Sequence, residues 1–266
     1  MGILQPLAAA EWLRPPVNLR LIATDMDGTL TRQSQFTADL LGGLERLQQA
    51  RWPVVIVTGR SAGWVSGLVH YLPIAGAIAE NGGVYFPKAA QPAEAELLSD
   101  IGDIASHRQQ LGQVFAQLQR QWPQIQESAD SRFRLTDWTF EIGELSAIDL
   151  KGLASACQQL GWGFTYSTVQ CHIFPLGQSK ATGLQRILLT HFPSISLAEV
   201  ITVGDSLNDE SLFDPKIFPC SVGVANIKDY WPRLTHRPAC VTHHSEVEGF
   251  LELVEALFCQ SIRREA

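Results

Sequence analysis

The stretch Leu21-Ile22-Ala23-Thr24-Asp25-Met26-Asp27-Gly28-Thr29-Leu30 decides how this chain is read. Its first residues form an apolar run with the length of a buried strand, and the Asp-Gly-Thr that follows is a sharp turn. Asp25 therefore falls at the carboxyl edge of a strand, the edge at which open α/β sheets bind ligands. Two carboxylates this close to apolar sequence need a cation or hydrogen bonds to offset desolvation, so Asp25 and Asp27 together predict a bound metal. Met26 between them reads as a core filler.

Beyond this stretch, Thr37 is an N-cap for a helix with Leu40, Leu41, Leu44 and Leu47 on one apolar stripe and Pro53 beyond its end. Val54 to Val57 is a β-branched run that ends in Thr58-Gly59-Arg60-Ser61, which opens a helix toward Tyr71. Ile74 to Ala79 returns to strand character before Glu80-Asn81-Gly82-Gly83. This βαβα alternation predicts a parallel sheet with crossover helices. The same grammar reappears late, with a helix from Ser179 to about His191. Short strands at Val200 to Val203, Val222 to Ala225 and Ala239 to Thr242 follow, and then an amphipathic helix from Val247 to Phe258.

Between the two halves the character changes. Leu111, Val114, Phe115 and Leu118 make a helical stripe, Phe133 to Ile142 alternates like an exposed strand, Leu150 to Leu160 is helical, and Phe164 to Phe174 is one strand or a hairpin. Alternating polarity predicts an antiparallel module with one solvated face. The expected architecture is a Rossmann-like, three-layer αβα core over residues 19–87 and 176–266, carrying an inserted α+β cap over 88–175. Pro87 to Pro92 and Pro175 to Gly177 read as its hinges. Residues 1–18 are an N-terminal extension that packs on the core, meets a partner or stays disordered.

A formal net charge of −7 with no Lys/Arg block argues against nucleic acid or an anionic membrane as partner. No stretch approaches the ~18 to 20 apolar residues of a membrane span, and Met1 to Leu13 lacks a basic n-region, so a cytoplasmic location is expected. Cys157, Cys171, Cys220, Cys240 and Cys259 are odd in number with no C-x-x-C spacing, which predicts reduced, mostly buried thiols. His243-His244 beside Cys240 reads as a loop surface rather than a ligand set.

Three further clusters fall at strand-to-helix junctions. Thr58-Gly59 offers a hydroxyl and close-approaching backbone N–H groups to phosphate oxygens, or is an ordinary strand exit. Lys180 sits in the first turn of a helix, where its charge opposes the dipole, so it is either held for an anion or solvated. Gly204-Asp205-Ser206-Leu207-Asn208-Asp209 brings two carboxylates and an amide to the same edge, with Asn208 or Asp209 alternatively a helix cap. Oxygen-only donors favour Mg2+ over zinc. A P-loop is excluded because Gly177-Gln178-Ser179-Lys180 lacks the glycine before lysine.

In this order, Asp25-Met26-Asp27-Gly28-Thr29, Thr58-Gly59-Arg60, Lys180 and Gly204 to Asp209 resemble the four-motif pattern of haloacid dehalogenase superfamily phosphatases. The insertion between the second and third motifs resembles the type IIB cap of Cof-like and sucrose-phosphate phosphatase-like members. Glu80-Asn81-Gly82-Gly83 and Val222-Gly223-Val224-Ala225-Asn226 are also similar to Cof-like sequences. The resemblance implies a phosphomonoesterase with Asp25 as nucleophile and Asp27 as acid and base. It also implies Mg2+ held by Asp25, the Asp27 carbonyl and Asp205, with Thr58, Gly59, Lys180 and Asn81 at the phosphate. Arg60 and Asn208 would reach the phosphate or the leaving group, and Asp209 would position Lys180 or a metal-bound water. The partner is then a small phosphorylated metabolite, by resemblance a sugar phosphate or phosphorylated glycoside. Arg132, Arg134, Asp137, Trp138 and His172 are candidate cap contacts. A hexose phosphomutase and a catalytically idle binding module are the rival readings, and the oligomeric state is left open.

Overall fold

The computed structural model describes residues 5–13, 18–88, 94–167 and 170–265. Pro15-Pro16 and most of the expected hinge at Pro87 to Pro92 lie outside the described residues.

Eight strands form the large sheet: β1 (Leu21–Thr24), β2 (Val54–Val57), β3 (Gly76–Ala79), β4 (Val84–Pro87), β5 (Glu96–Leu97), β9 (Val200–Gly204), β10 (Cys220–Gly223) and β11 (Cys240–Val241). Their order is β11-β10-β9-β1-β2-β3-β4-β5. The six strands from β11 to β3 are parallel, while β4 and β5 are antiparallel additions at one edge. The chain builds β1, β2 and β3 in one direction and β9, β10 and β11 in the other, so the connections reverse between β1 and β9. That reversal is the topological switch point at which α/β sheets open a crevice.

Both faces of the sheet are covered. Ile22 packs with α1 (Ala38–Gln49), α2 (Ala62–Tyr71) and α6 (Glu246–Glu265), whereas Leu21 and Ala23 pack with α5 (Lys180–His191). Alternate residues of one strand thus feed two apolar layers, which is why β1 reads as a continuous apolar run. Thr37 caps α1 by accepting from the Leu40 N–H. Leu40, Leu44 and Leu47 are buried, but Leu41 stands exposed, because one turn of helix presents only part of its circumference to the sheet. Residues 5–13 lie on the core: the Val241 N–H donates to the Gln5 carbonyl, and Leu7, Ala10 and Leu13 are buried beside α6 and β11.

The cap is a three-stranded antiparallel sheet with two helices. Strands β6 (Trp138–Glu141), β7 (Trp162–Tyr166) and β8 (Gln170–Pro175) lie in the order β6-β8-β7, against α3 (Ile104–Gln121) and α4 (Ala147–Gln159). Its core joins Leu111, Val114, Phe115 and Leu118 to Phe140, Leu150, Leu153, Cys171 and Ile173. Phe164 to Phe174 therefore contains two antiparallel strands. Two expectations are corrected. The large sheet runs past residue 87, since β5 pairs with β4, so a boundary at 87/88 falls within that sheet. The strand expected over Phe133 to Ile142 shortens to β6, because the Leu135 and Thr136 N–H groups donate to the Glu80 carboxylate instead of a neighbouring strand.

The five cysteines are free; four are buried and Cys259 is exposed. His243 and His244 follow β11 and meet Glu252. No helix among the described residues is long and apolar enough to cross a membrane.

Glu80, Asn81 and Gly82 are consecutive residues with positive φ, at 54°, 52° and 106°. A Cβ on Gly82 would overlap the Ser179 carbonyl oxygen at the start of α5. Gly82→Ala should lower the unfolding free energy by roughly 2 kcal/mol or more, read as a reduced urea midpoint with an unchanged m-value.

Candidate active site

The ends of β1 and β9 carry Asp25 and Asp205 to either side of the switch point. Asp25 is anchored by its own backbone, since its N–H donates to the Val203 carbonyl of the neighbouring strand. Lys180, in the first turn of α5 and fully buried, donates from Nζ to Asp25 Oδ1 and to Asp209 Oδ1, both at 2.5 Å. The other oxygen of Asp209 accepts from the Asp205 and Ser206 N–H groups at 2.9 and 3.0 Å. One carboxylate therefore shapes the loop after β9 and holds the lysine that faces the end of β1.

Burial works against the charge on Lys180, but Asp209 and Asp25 outweigh it and hold the ammonium above its ordinary value. Burial pushes the Asp25 carboxyl up to about 7; Lys180 opposes that rise, while Asp209 and Asp27 add to it. Burial also raises Asp205 well above the carboxylate range, with the Asp25 and Asp209 charges acting in the same direction. Two carboxyls that resist ionisation side by side mark a place lacking positive charge. Asp25, Asp205 and Asp209 present oxygens within 4.8 Å of one another. This all-oxygen, anion-rich donor set fits Mg2+. Asp209 is already engaged with Lys180 and two N–H groups, so Asp25 and Asp205 are the carboxylates available to a cation. Asp205 is braced by Thr29 Oγ1 and Asn226 Nδ2, each at 3.0 Å. Gly28 is required beside it, because a Cβ there would come 2.5 Å from Asp205 Oδ2.

Asp27 lies apart from that trio. Its carboxylate receives a forked pair from Arg60, Nε to Oδ2 at 2.8 Å and Nη2 to Oδ1 at 2.6 Å, and the Arg60 guanidinium stacks over Trp64. Arg60 thus meets Asp27 rather than standing free over the crevice, and the Asp27 carboxylate is engaged by that fork. Thr58 is buried and its Oγ1 accepts from the Arg60 N–H. Asn81 packs against Gly59, accepts from Asn208 Nδ2 at 3.4 Å, and keeps its own Nδ2 buried with no hydrogen-bond partner among the described residues.

Asp25, Asp27, Thr58, Gly59, Arg60, Asp205, Ser206 and Asn208 line one cleft, with Ser167, Gln170 and His172 of the cap as its opposite wall. Of the candidate cap contacts, only His172 lines this cleft. Arg134 and Asp137 are buried behind it, Arg132 stacks on Phe133 and Trp138 packs on Phe115. Glu80, Thr29 and Asn226 fall in motifs quoted above, but their contacts with Leu135, Thr136 and Asp205 have no mark in the sequence, and the Gln170 and Ser167 wall is not among the residues expected there. For the cap wall the signal is the alternation Gln170, His172, Phe174, which places every second residue of β8 on one face.

The model of the sucrose-6F-phosphate phosphohydrolase family matches residues 18–257. The chain belongs to this family of haloacid dehalogenase-like phosphatases. It is 30% identical over 237 residues to a phosphoglycolate phosphatase of Haloarcula marismortui, covering 88% of this chain and 95% of that one. A phosphoglycolate phosphatase of Methanothrix thermoacetophila is 26% identical over 247 residues, covering 89% and 96%. Among solved structures, Thermoplasma acidophilum 0175 superposes with a TM-score of 0.72 at 19% identity, over 90% of this chain and 98% of that one. The subclass IIB sugar phosphatase BT4131 gives a TM-score of 0.65 at 16% identity, over 91% and 99%. This haloacid dehalogenase-like chain is a phosphatase, and its mixed α/β fold, with the large mostly parallel sheet and the smaller three-stranded sheet, is shared with those solved structures.

The raised carboxyls set a pH dependence. A folded-state value above the ordinary 3.8 means that the folded, metal-free protein holds the Asp25 proton more tightly than the unfolded chain. The resulting stabilisation is full below about pH 4 and is lost as pH rises through about 7. A cation binds the ionised form and restores stability where the proton is absent. Mg2+ should therefore raise Tm more at about pH 8 than at about pH 5 and release protons on binding by calorimetry. Asp25→Asn should abolish most of that pH difference.

Proposed function

We propose that this phosphatase is a Mg2+-dependent phosphomonoesterase that works through an aspartyl phosphate on Asp25. Its substrate is a small hydroxyl-bearing phosphorylated metabolite, a sugar phosphate or phosphorylated glycoside. The observation that carries this reading is the buried Lys180 ammonium, bonded to both Asp25 and Asp209 behind the cleft that Asp25 lines. An Asp25 oxygen attacks phosphorus in line, forming the P–O bond as the ester oxygen departs. Lys180 favours the ionised form of Asp25 against the rise that burial imposes and offers its positive charge to the phosphoryl oxygens, and Thr58, Gly59 and Asn81 supply hydroxyl, N–H and amide donors on the other side. Asp27 gives its proton to the departing alkoxide and then takes one from the water that cleaves the acyl phosphate. The Arg60 fork must open from Asp27 for that transfer, which frees its guanidinium for the phosphate or the leaving group; Asn208 stands beside it. Asp25, the Asp27 carbonyl and Asp205 would hold Mg2+, which when bound offsets repulsion between the anionic nucleophile and the anionic ester.

Two kinds of substrate are raised by the relatives' names. A carboxylate such as that of phosphoglycolate calls for a cationic partner, yet Arg60 is the only cationic side chain among the described residues lining the cleft. The cap wall of Ser167, Gln170 and His172 is polar and uncharged, a composition suited to hydroxyl groups. The cleft encloses about 60 Å3, room for on the order of five water molecules, so a hexose phosphate enters only when the cap swings away. The buried free thiols fit a reducing cytoplasm.

The test is phosphate release from sugar phosphates, phosphoglycolate, phosphorylated glycosides and nucleotides with Mg2+ or EDTA, with Asp25→Asn as control. Release should require both Mg2+ and Asp25, and the best sugar phosphate should exceed phosphoglycolate by about tenfold or more in kcat/KM. Isomerised hexose phosphate without free phosphate would favour a phosphomutase, and no turnover by folded, metal-bound protein would favour a binding module.

A further inference from the structure

Strand β8 divides the cap's chemistry between its two faces. Cys171 and Ile173 enter the cap core, while Gln170 and His172 face the catalytic cleft. Behind His172 lies a buried charge network. Arg134 donates from Nη1 to both oxygens of Asp137 at 3.0 and 2.9 Å, and to the Gly59 carbonyl in the loop that carries Thr58. Its Nη2 donates to Asp130 and to Gln170 Oε1, and Gln170 Nε2 donates in turn to Asp130. The Gln170 amide is thus committed at both ends. The His172 ring is committed at one end only, with Nδ1 lying 2.9 Å from Asp137 Oδ2.

That single contact fixes the tautomer. Burial opposes the charge on Asp137, but Arg134 and His172 outweigh it and hold its carboxyl below the usual range. Burial holds His172 below its ordinary value despite the pull of Asp137. An ionised carboxylate can only accept, so the proton of the neutral imidazole sits on Nδ1 and Nε2 is a bare acceptor. Nε2 has no hydrogen-bond partner among the described residues, and the ring lines the cleft.

We propose that His172, oriented by Asp137, is a specificity-determining residue whose Nε2 accepts a hydrogen bond from a hydroxyl on the alcohol portion of the substrate. The inference rests on the phosphatase reading and sharpens it. An acceptor on the cleft wall attracts a hydroxyl donor and repels a carboxylate, so this chain selects polyol esters over carboxylated ones such as phosphoglycolate. Asp137 is a positioning residue, acting on the substrate only through the proton it fixes on Nδ1. Arg134 ties the same network to the phosphate-side loop at Gly59, which couples the wall that reads the alcohol to the wall that binds the phosphate.

The experiment compares kcat/KM on glucose 6-phosphate, sucrose 6F-phosphate, phosphoglycolate and p-nitrophenyl phosphate for the Mg2+-loaded wild type, His172→Phe and Asp137→Asn. His172→Phe should lower the ratio of the better sugar phosphate to p-nitrophenyl phosphate by about tenfold or more, mainly through KM. In Asp137→Asn the amide donates to Nδ1, the proton moves to Nε2 and the acceptor becomes a donor. The sugar phosphate to phosphoglycolate ratio should then shift toward phosphoglycolate by about tenfold. Should Asp137→Asn not fold, because it leaves Arg134 short of a counter-charge, His172→Phe and the 15N shifts of His172 in the wild type decide the matter. Those shifts should show a protonated Nδ1 and a bare Nε2. Equal losses on all substrates, a wild type that prefers phosphoglycolate, or a protonated Nε2 would overturn the assignment of His172 alone. A wild type that hydrolyses none of the four would overturn the phosphatase reading together with it.

Discussion

Asp25 and Asp209 lie on opposite flanks of one buried ammonium, and most of the molecule is arranged to keep them there. Two carboxylates at this depth cannot both be ionised without a cation, and removing one partner of such a buried set leaves an uncompensated charge, at a cost of about 3–5 kcal/mol. Lys180 meets that constraint from the first turn of α5, against the helix dipole, so its placement is held by ion pairs and not by helix propensity. The constraint couples three distant parts of the chain. β1 sets Asp25, β9 and its loop set Asp209 and Asp205, and α5 sets Lys180. The parallel pairing of β1 with β9 brings the first two to the same edge, and the close approach of Gly82 to Ser179 seats the third.

The cap is joined to this core by more than its connecting segments. Glu80, at the end of β3, accepts from the Ala62 N–H of α2 and from Leu135 and Thr136 of the insertion, while Gln178 donates to its carbonyl. Arg134 reaches from the same insertion to Gly59. Segment 134–137 is therefore tied to the phosphate side of the cleft on one flank and, through Gln170 and His172, to strand β8 on the other. Burial raises the Glu80 carboxyl, with the Asp137 charge adding to the rise and Arg134 and the N–H donors opposing it. The staple is thus electrostatically tied to the network behind His172.

Much of this was legible in the residues. The apolar run before Asp25, the Thr37 cap and the misfit of Lys180 with its helix dipole each have a local cause, and local causes leave marks in sequence. Leu41 escaped because an apolar stripe says which residues can be buried, not how wide a face the sheet will cover. The strand over Phe133 to Ile142 shortens to β6 because alternation cannot reveal that a carboxylate 55 positions earlier captures the Leu135 N–H. The sequence places Arg60 at the phosphate or leaving group, whereas its fork rests on Asp27, a contact set by the spacing of β1 and β2. The His172–Asp137 pair lay beyond reach for the same reason, since it joins β8 to the segment before β6.

The account turns on Asp25 as the group that takes the phosphoryl, paired with the Lys180 ammonium. The direct measurement is an acid quench during turnover of the best substrate, followed by borohydride reduction and peptide mass spectrometry, which converts a phosphorylated aspartate to homoserine. The account predicts homoserine at position 25 and at no other aspartate, with the signal absent when EDTA replaces Mg2+. Sustained phosphate release with an unmodified Asp25, or with the label on Asp27, Asp205 or Asp209, would contradict it.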